Sequence, residues 1–237
     1  MLRLIIYSLL LLTSFSAHAQ LGGNSLYSFL DLPISARSIG IGGAFYSAPR
    51  GDIALAAGNP ALLSEDIHKQ ISFNTGFYLA GTNFGTAVYG HHAEKLKTSF
   101  SAFASYVAYG KFDGRDVAGN PTGTFRAGSY IIGGGAARQW KDFTYGAQLK
   151  LIFSSIEQYN SFGMGLDLSA GYFNEDRDLV LTMMLRNIGG ELKSYVNDDR
   201  GALPLDLSFS LSKKFERLPI RLMILAHHLQ KWDLTRP

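Results

Sequence analysis

The chain has 237 residues, 46% apolar and 17% charged, with 26 Gly, 16 Phe, 12 Tyr, no Cys and a formal charge of +3. This excludes intrinsic disorder, which needs low hydrophobicity and high net charge, and any disulfide scaffold, thiolate nucleophile or Cys-bound zinc. Charge well below the roughly 25% usual in soluble domains, beside abundant Gly and aromatics, points to β-structure next to a membrane.

Residues 1–19 read as a secretory signal. Arg3 is the positive region, Leu4–Leu12 is apolar except at Tyr7 and Ser8, and Ala17-His18-Ala19 is a small-x-small cleavage site. The run is shorter than the roughly 20 residues of a spanning helix. The mature chain would begin at Gln20, with no Cys for a lipid anchor. Arg3 is the only charged residue in 1–19, so its removal takes the charge from +3 to +2. No basic cluster interleaved with aromatics follows, so nothing suits a nucleic-acid backbone. No later run reaches 18 apolar residues.

Residues 20–68 do not alternate. They carry Gly22-Gly23, Gly40-Ile41-Gly42-Gly43, a helical stretch around Gly51–Leu55, and Asn59-Pro60-Ala61-Leu62-Leu63. A segment too polar for lipid, placed ahead of the first strand, can fold into a lumen as a hatch.

From Lys69 onward the period is two, and residues 69–237 read as a partial outer-membrane β-barrel. In 143–154, Phe143, Tyr145, Ala147, Leu149, Leu151 and Phe153 share one face. Thr144, Gly146, Gln148, Lys150 and Ser154 share the other, with Ile152 as the exception. Phe162, Met164, Leu166, Leu168, Ala170 and Tyr172 alternate with Ser161, Gly163, Gly165, Asp167, Ser169 and Gly171. Segments 178–186 and 205–212 repeat the pattern, and weaker strands cover about 69–79, 84–92, 98–109, 127–138 and 219–229. Successive strand side chains point to opposite faces, so nine strands in meander order are expected, each with an apolar and a polar face.

A soluble sandwich or a lipocalin also alternates. Three features favour a membrane barrel: strands longer than the usual 5–6 residues, a polar face of Gly, Ser, Thr and occasional charge, and aromatics near strand ends. The last are Tyr109, Trp140, Phe143, Phe153, Tyr172, Phe173 and Phe215. With a periplasmic N-terminus the inner turns are 93–97, 139–142, 174–177 and 214–218. The outer connections are 80–83, 110–126, 155–160 and 188–203, so both long loops fall on one side. Nine strands are odd in number, and an open edge is costly in lipid. The expectation is a chain truncated at its C-terminal end.

Ser35-Ala36-Arg37-Ser38-Ile39-Gly40-Ile41-Gly42-Gly43-Ala44-Phe45, followed by Asp52 and Asn59-Pro60-Ala61-Leu62-Leu63, resembles the N-terminal signature of the FadL-like outer-membrane barrels. The stretches Leu21–Pro33 and His227–Thr235 are most similar to the PorQ-like branch of that superfamily, the sister of the PorV-like branch. The resemblance implies fourteen strands. Nine strands over 69–229 take roughly 18 residues each, so five more would need roughly 90. It also implies a non-enzymatic role in the type IX secretion attachment complex of a Gram-negative outer membrane. The implied partners are outer-membrane lipid, a PorZ-like surface protein, and PorV-like and PorU-like complex members.

The residues themselves suggest no catalysis. Arg37, Gly42, Gly43, Asp52, Asn59 and Pro60 are candidates for a polar network holding the hatch against Lys150, Asp167, Arg186 and Asp206. Alternatively Asp52 only caps a helix and Asn59-Pro60 only turns the chain. His91-His92 and His227-His228 lie on predicted strands, where neighbours point apart, so no metal site is expected. Gly133-Gly134-Gly135 and Gly163-Met164-Gly165 lack the strand–loop–helix context of a dinucleotide fingerprint. They leave room for the hatch or permit curvature. There is no Gly-x-Ser-x-Gly elbow and no carboxylate pair at catalytic spacing, and no cofactor is implied. Phe112, Phe125 and Tyr195, in the long loops, are the candidate partner contacts. The alternative class is a FadL-like transporter of hydrophobic small molecules, which needs an apolar pocket between hatch and wall.

Overall fold

The computed structural model describes residues 26–43, 47–196, 201–216 and 218–231. The proposed signal, the start of the family-like stretch at 20–25, Ala44-Phe45, the centre of the 188–203 loop and residues 232–237 lie outside the described residues.

Nine antiparallel strands form one sheet in sequence order. They are β1 (Ile71–Phe77), β2 (Asn83–Ala93), β3 (Thr98–Arg115), β4 (Pro121–Trp140), β5 (Phe143–Ile156), β6 (Tyr159–Asn174), β7 (Leu179–Lys193), β8 (Asp206–Lys214) and β9 (Arg221–Ala226). All nine expected strands are present and the meander order holds. The sheet is not closed: β1 pairs only with β2 and β9 only with β8. The expected barrel therefore reduces, among the described residues, to an open all-β sheet with two free edges.

The connections differ from expectation on one side. The 110–126 loop is mostly strand, because the β3–β4 ladder continues from Lys111↔Arg126 to Arg115↔Pro121 across a bulge beside Gly110. Only 116–120 remain as a turn. Its Asp116 carboxylate accepts from the Ala118 and Asn120 amides at 2.9 and 2.8 Å and from the Asn120 side chain at 3.0 Å. Those bonds, the Asn120 side chain first, hold the Asp116 carboxyl below its ordinary range. The 155–160 loop shrinks to the turn Glu157-Gln158, with Glu157 at φ 56°.

The described residues of 26–68 contain no sheet strand. Ser35 and Ser38 form a reciprocal capping box on the short helix Ala36–Gly40. Gly42 and Gly43, at φ 106° and 87°, end it, and the Gly43 amide donates to the Ser38 carbonyl at 2.7 Å. Asp52 caps the helix Ile53–Ala56. Asn59 caps a single 3-10 turn, Pro60–Leu62, with Pro in the first position, where its missing N–H costs nothing.

This segment lies on one face of the sheet and the core forms between them. Ala48, Ile53, Leu55, Leu62, Leu63 and Ile67 pack with Val88, Phe103, Ala137, Phe173 and Val180 of the strands. A second cluster joins Tyr27, Phe29 and Leu30 to Val107, Ile152 and Leu203. Glycines mark the close approaches. A Cβ at Gly146 would lie 2.9 Å from the Pro60 carbonyl, and one at Gly163 2.7 Å from the Tyr27 ring. Strand glycines do make room for the N-terminal segment at these points. Gly133 instead accommodates the Phe103 ring of the neighbouring strand.

Candidate functional site

The two faces of the sheet have opposite chemistry, and their burial is inverted relative to a water-soluble domain. On β5, Phe143 is 51% and Leu149 47% exposed, while Gln148 and Lys150 are 2% and 5% exposed. β6 repeats this: Met164 and Leu168 are exposed, whereas Ser161, Asp167 and Ser169 are buried. We call the segment-bearing face inner and the other outer.

The inner face is held by polar side chains. Cross-strand hydroxyl pairs join Thr86 to Ser105 at 2.9 Å, Ser129 to Ser154 at 2.7 Å and Thr182 to Ser210 at 2.6 Å. At mid-sheet, Lys150 Nζ lies 2.7 Å from Asp167 Oδ1 and 2.5 Å from Asn187 Oδ1. The Asn187 amide donates to Asp167 at 2.8 Å, and Gln148 Nε2 lies 3.3 Å from the other carboxylate oxygen. A β6–β7 register shift between Leu166 and Leu168 creates this cluster: Asn187 takes φ 58° and turns inward beside Arg186. The bulge is what makes Asn187 a member that alternation alone does not reveal.

The segment is tied to this face at several points. The Arg186 guanidinium donates to the Leu30 carbonyl at 2.9 Å and lies 3.9 Å from Asp31. Gln148 donates to the Ala57 carbonyl at 3.0 Å, and the Ala61 amide donates to Ser169 Oγ at 2.8 Å. Arg50 pairs with Glu175 at 2.8 Å and covers the Phe173 ring at 4.7 Å. Tyr27 bonds Ser161, which bonds Glu191. Burial is the first cause that pushes the Tyr27 hydroxyl up to about 12 from 10.0.

The structure divides the candidate network residues between two places. Lys150, Asp167 and Arg186 belong to the inner cluster. Arg37 does not reach it: Arg37 pairs with Asp52 at 2.8 Å on the surface of the segment, with its side chain 58% exposed. Asp52 is the helix cap: Oδ1 accepts from the Ala54 amide at 3.0 Å while Oδ2 takes Arg37 within the segment, not a strand residue. Asn59 is buried and caps its turn through the Ala61 amide at 3.0 Å. Asp206 stands opposite Arg186 in the β7–β8 register and accepts from the His228 amide at 2.6 Å.

The outer face carries two aromatic rows. Cross-strand register aligns Tyr106, Tyr130, Phe153 and Phe162 at one level, and Trp140, Phe143 and Tyr172 at the other. Ring centroids are 5.0 Å apart for Phe153 and Phe162 and 5.1 Å for Phe143 and Tyr172. On each of β4, β5 and β6 the rows are ten residues apart: Tyr130 to Trp140, Phe143 to Phe153, Phe162 to Tyr172. At about 3.3 Å per residue this is roughly 33 Å along the strand. Between the rows lie Ile132, Leu149, Leu151, Met164, Leu166 and Leu168. An apolar depression of about 730 Å³ crosses this face over Gly85, Ala87 and Ala104, walled by Phe73, Tyr106 and Tyr130. Two of the aromatics expected at the interfaces face inward instead. Phe173 is buried under Arg50, and Tyr109 packs beside the second core cluster. Alternation forces the first result, because Phe173 follows the outward Tyr172.

Of the partner-contact candidates, Phe112 and Phe125 stack at 5.4 Å on the β3–β4 arm, which runs nine residues past the Tyr106–Tyr130 row. Val117, at its tip, is fully exposed. Tyr195 is different. It is half-buried, and burial raises its hydroxyl above the ordinary tyrosine value. The described part of its loop folds inward: Leu203 is buried and the Gly201 amide donates to Glu191 at 3.1 Å.

No family model matches the chain, and no curated protein matches it either.

Proposed function

We propose that this chain is an exported outer-membrane wall of FadL-like type, with the outer face in lipid and residues 26–68 as a luminal hatch. The supporting observation is the apolar belt between two aromatic rows. Roughly 33 Å of strand, tilted by the usual 35–45°, spans about 25 Å of height, the belt thickness of such barrels. In lipid both free edges of the sheet must be covered.

Within this reading the chain acts as a non-enzymatic, PorQ-like component of the type IX secretion attachment complex. It docks a PorZ-like surface partner on the β3–β4 arm, beside PorV-like and PorU-like members. The arm supports this reading because it projects past the belt and carries a stacked aromatic pair. Transport of a hydrophobic small molecule is less well supported. The gap between the segment and the wall, lined by Phe29, Leu30, Ile34, Val107 and Ile131, holds about 40 Å³. A small-molecule pocket takes roughly 300 Å³ or more.

The test is a photo-crosslinking residue at Val117 in a cell that makes the complex, with mass spectrometry of the adducts. A surface-exposed partner captured from the outer-membrane fraction, and lost with F112A/F125A, is expected. Bound lipid with no protein adduct would favour transport. Recovery from the soluble periplasm would contradict both.

A further inference from the structure

Sequence alternation places His227 and His228 on opposite faces of a strand running to 229, but β9 ends at Ala226. His228 takes the left-handed conformation, φ 56°, which is uncommon outside glycine. The turn brings both rings to the same side, with centroids 4.6 Å apart. It also brings them to Asp206, the first residue of β8. The two histidines and Asp206 each offer a ligand atom, and these atoms lie within 4.8 Å of one another.

The local backbone explains why they meet. The β8–β9 ladder stops at Phe209↔Ala226. Beyond it side chains take over the β8 edge. The Gln230 carboxamide accepts from the Leu207 amide at 2.8 Å and donates to the Leu205 carbonyl. The Asp206 carboxylate accepts from the His228 amide. His228 is thereby held over Asp206, and its Nδ1 lies 3.4 Å from Oδ1. That nitrogen is buried and makes no hydrogen bond. His227 is exposed.

We propose that Asp206, His227 and His228 form a site for a divalent transition-metal ion of zinc-like chemistry. Two imidazoles and one carboxylate are a common zinc donor set, with a fourth position left to water. Bonds of about 2.0–2.2 Å put neighbouring donors about 3.3 Å apart. A bound ion would draw the three donors, now within 4.8 Å of one another, to that spacing. The ion fastens the end of edge strand β9 to β8 where no backbone ladder does so. The site opens on the inner face, where Asp206 stands opposite Arg186 and level with Leu166–Leu168, so it does not depend on what covers the outer face.

The test uses the tag-free full chain in detergent micelles, stripped with chelator and titrated with cobalt(II). One ion per chain with the intense visible absorption of tetrahedral cobalt is expected. H227A should weaken binding on the order of tenfold or more. So should D206N, which keeps an acceptor for the His228 amide but removes the charge. H91A/H92A, altering the pair that does lie on a strand, should leave binding unchanged. No visible band, binding unaffected by H227A and D206N, or binding abolished by H91A/H92A would each overturn the assignment.

Discussion

Along β5, Tyr145, Leu149 and Phe153 stand exposed while Thr144, Gln148 and Ser154, one residue away, are buried. The same backbone thus builds an apolar outer face and a packed polar inner face. In a water-soluble domain burial follows hydrophobicity. Here it follows the N-terminal segment, which covers the inner face only. The inner face gains specificity from hydrogen bonds and the buried Lys150–Asp167 ion pair, and the outer face leaves its apolar side chains exposed. The comparison predicts that equal chemical insults on the two faces have different consequences.

The largest effect is expected at Asp167. D167A strands the buried Lys150 ammonium, and losing one partner of a buried pair costs about 3–5 kcal/mol. Denaturant unfolding in micelles measures this. The double change K150M/D167L should recover most of the loss, because apolar replacement of a whole buried pair is often near neutral. Failure of that rescue would mean that the bonds to Asn187 and Gln148 matter more than the charges.

On the outer face, Leu166 lies four residues from Phe162 and six from Tyr172, close to mid-belt. L166R should cost about 2–4 kcal/mol in a bilayer, measured by reversible unfolding from vesicles. In water the same half-exposed position would lose within about 0.5 kcal/mol. A bilayer cost near the aqueous figure would undo the contrast between the faces.

The smallest effects belong to the segment surface. D52A removes a helix cap and should cost about 1 kcal/mol. R37A breaks only an exposed ion pair, worth about 0–1 kcal/mol. Both read out in thermal melts, and solute permeability should change little with R37A. A larger loss from R37A than from D52A would return Arg37 to the network with Lys150.

Much of the sheet was legible because period two is a local property. The strand positions from Ile71 to Ala226, the meander order and the identity of each face follow from it. Ile152 shows the limit. As the one apolar residue on its polar face it looked like an exception, and it is the landing site of Tyr27, Phe29 and Leu30. Sequence reports that such a position is odd but not which distant residue covers it. The β3–β4 arm was hidden by turn chemistry, since Gly110, Gly114, Gly119 and Pro121 resemble a loop, yet the ladder pairs Gly114 and Pro121 and bulges past Gly110. Asn187 and Tyr195 join the inner clusters through a bulge and a folded loop, neither of which leaves a periodic trace. The pairing of His227 with His228 depends on a strand ending at Ala226 rather than 229, and strand ends are set by which edge groups find partners.

The central claim is that the belt between the aromatic rows faces hydrocarbon. The absence of native Cys makes single-site spin labelling clean. Labels placed one at a time from 143 to 153, in vesicles, report contact with oxygen, which partitions into lipid, and with a water-soluble nickel chelate. The account predicts period two. Labels at 145, 147, 149 and 151 meet oxygen and are shielded from the chelate, with shielding greatest near 149, while a label at Val117 meets the chelate freely. Chelate access at 149 and 151 equal to that at 117 would contradict it.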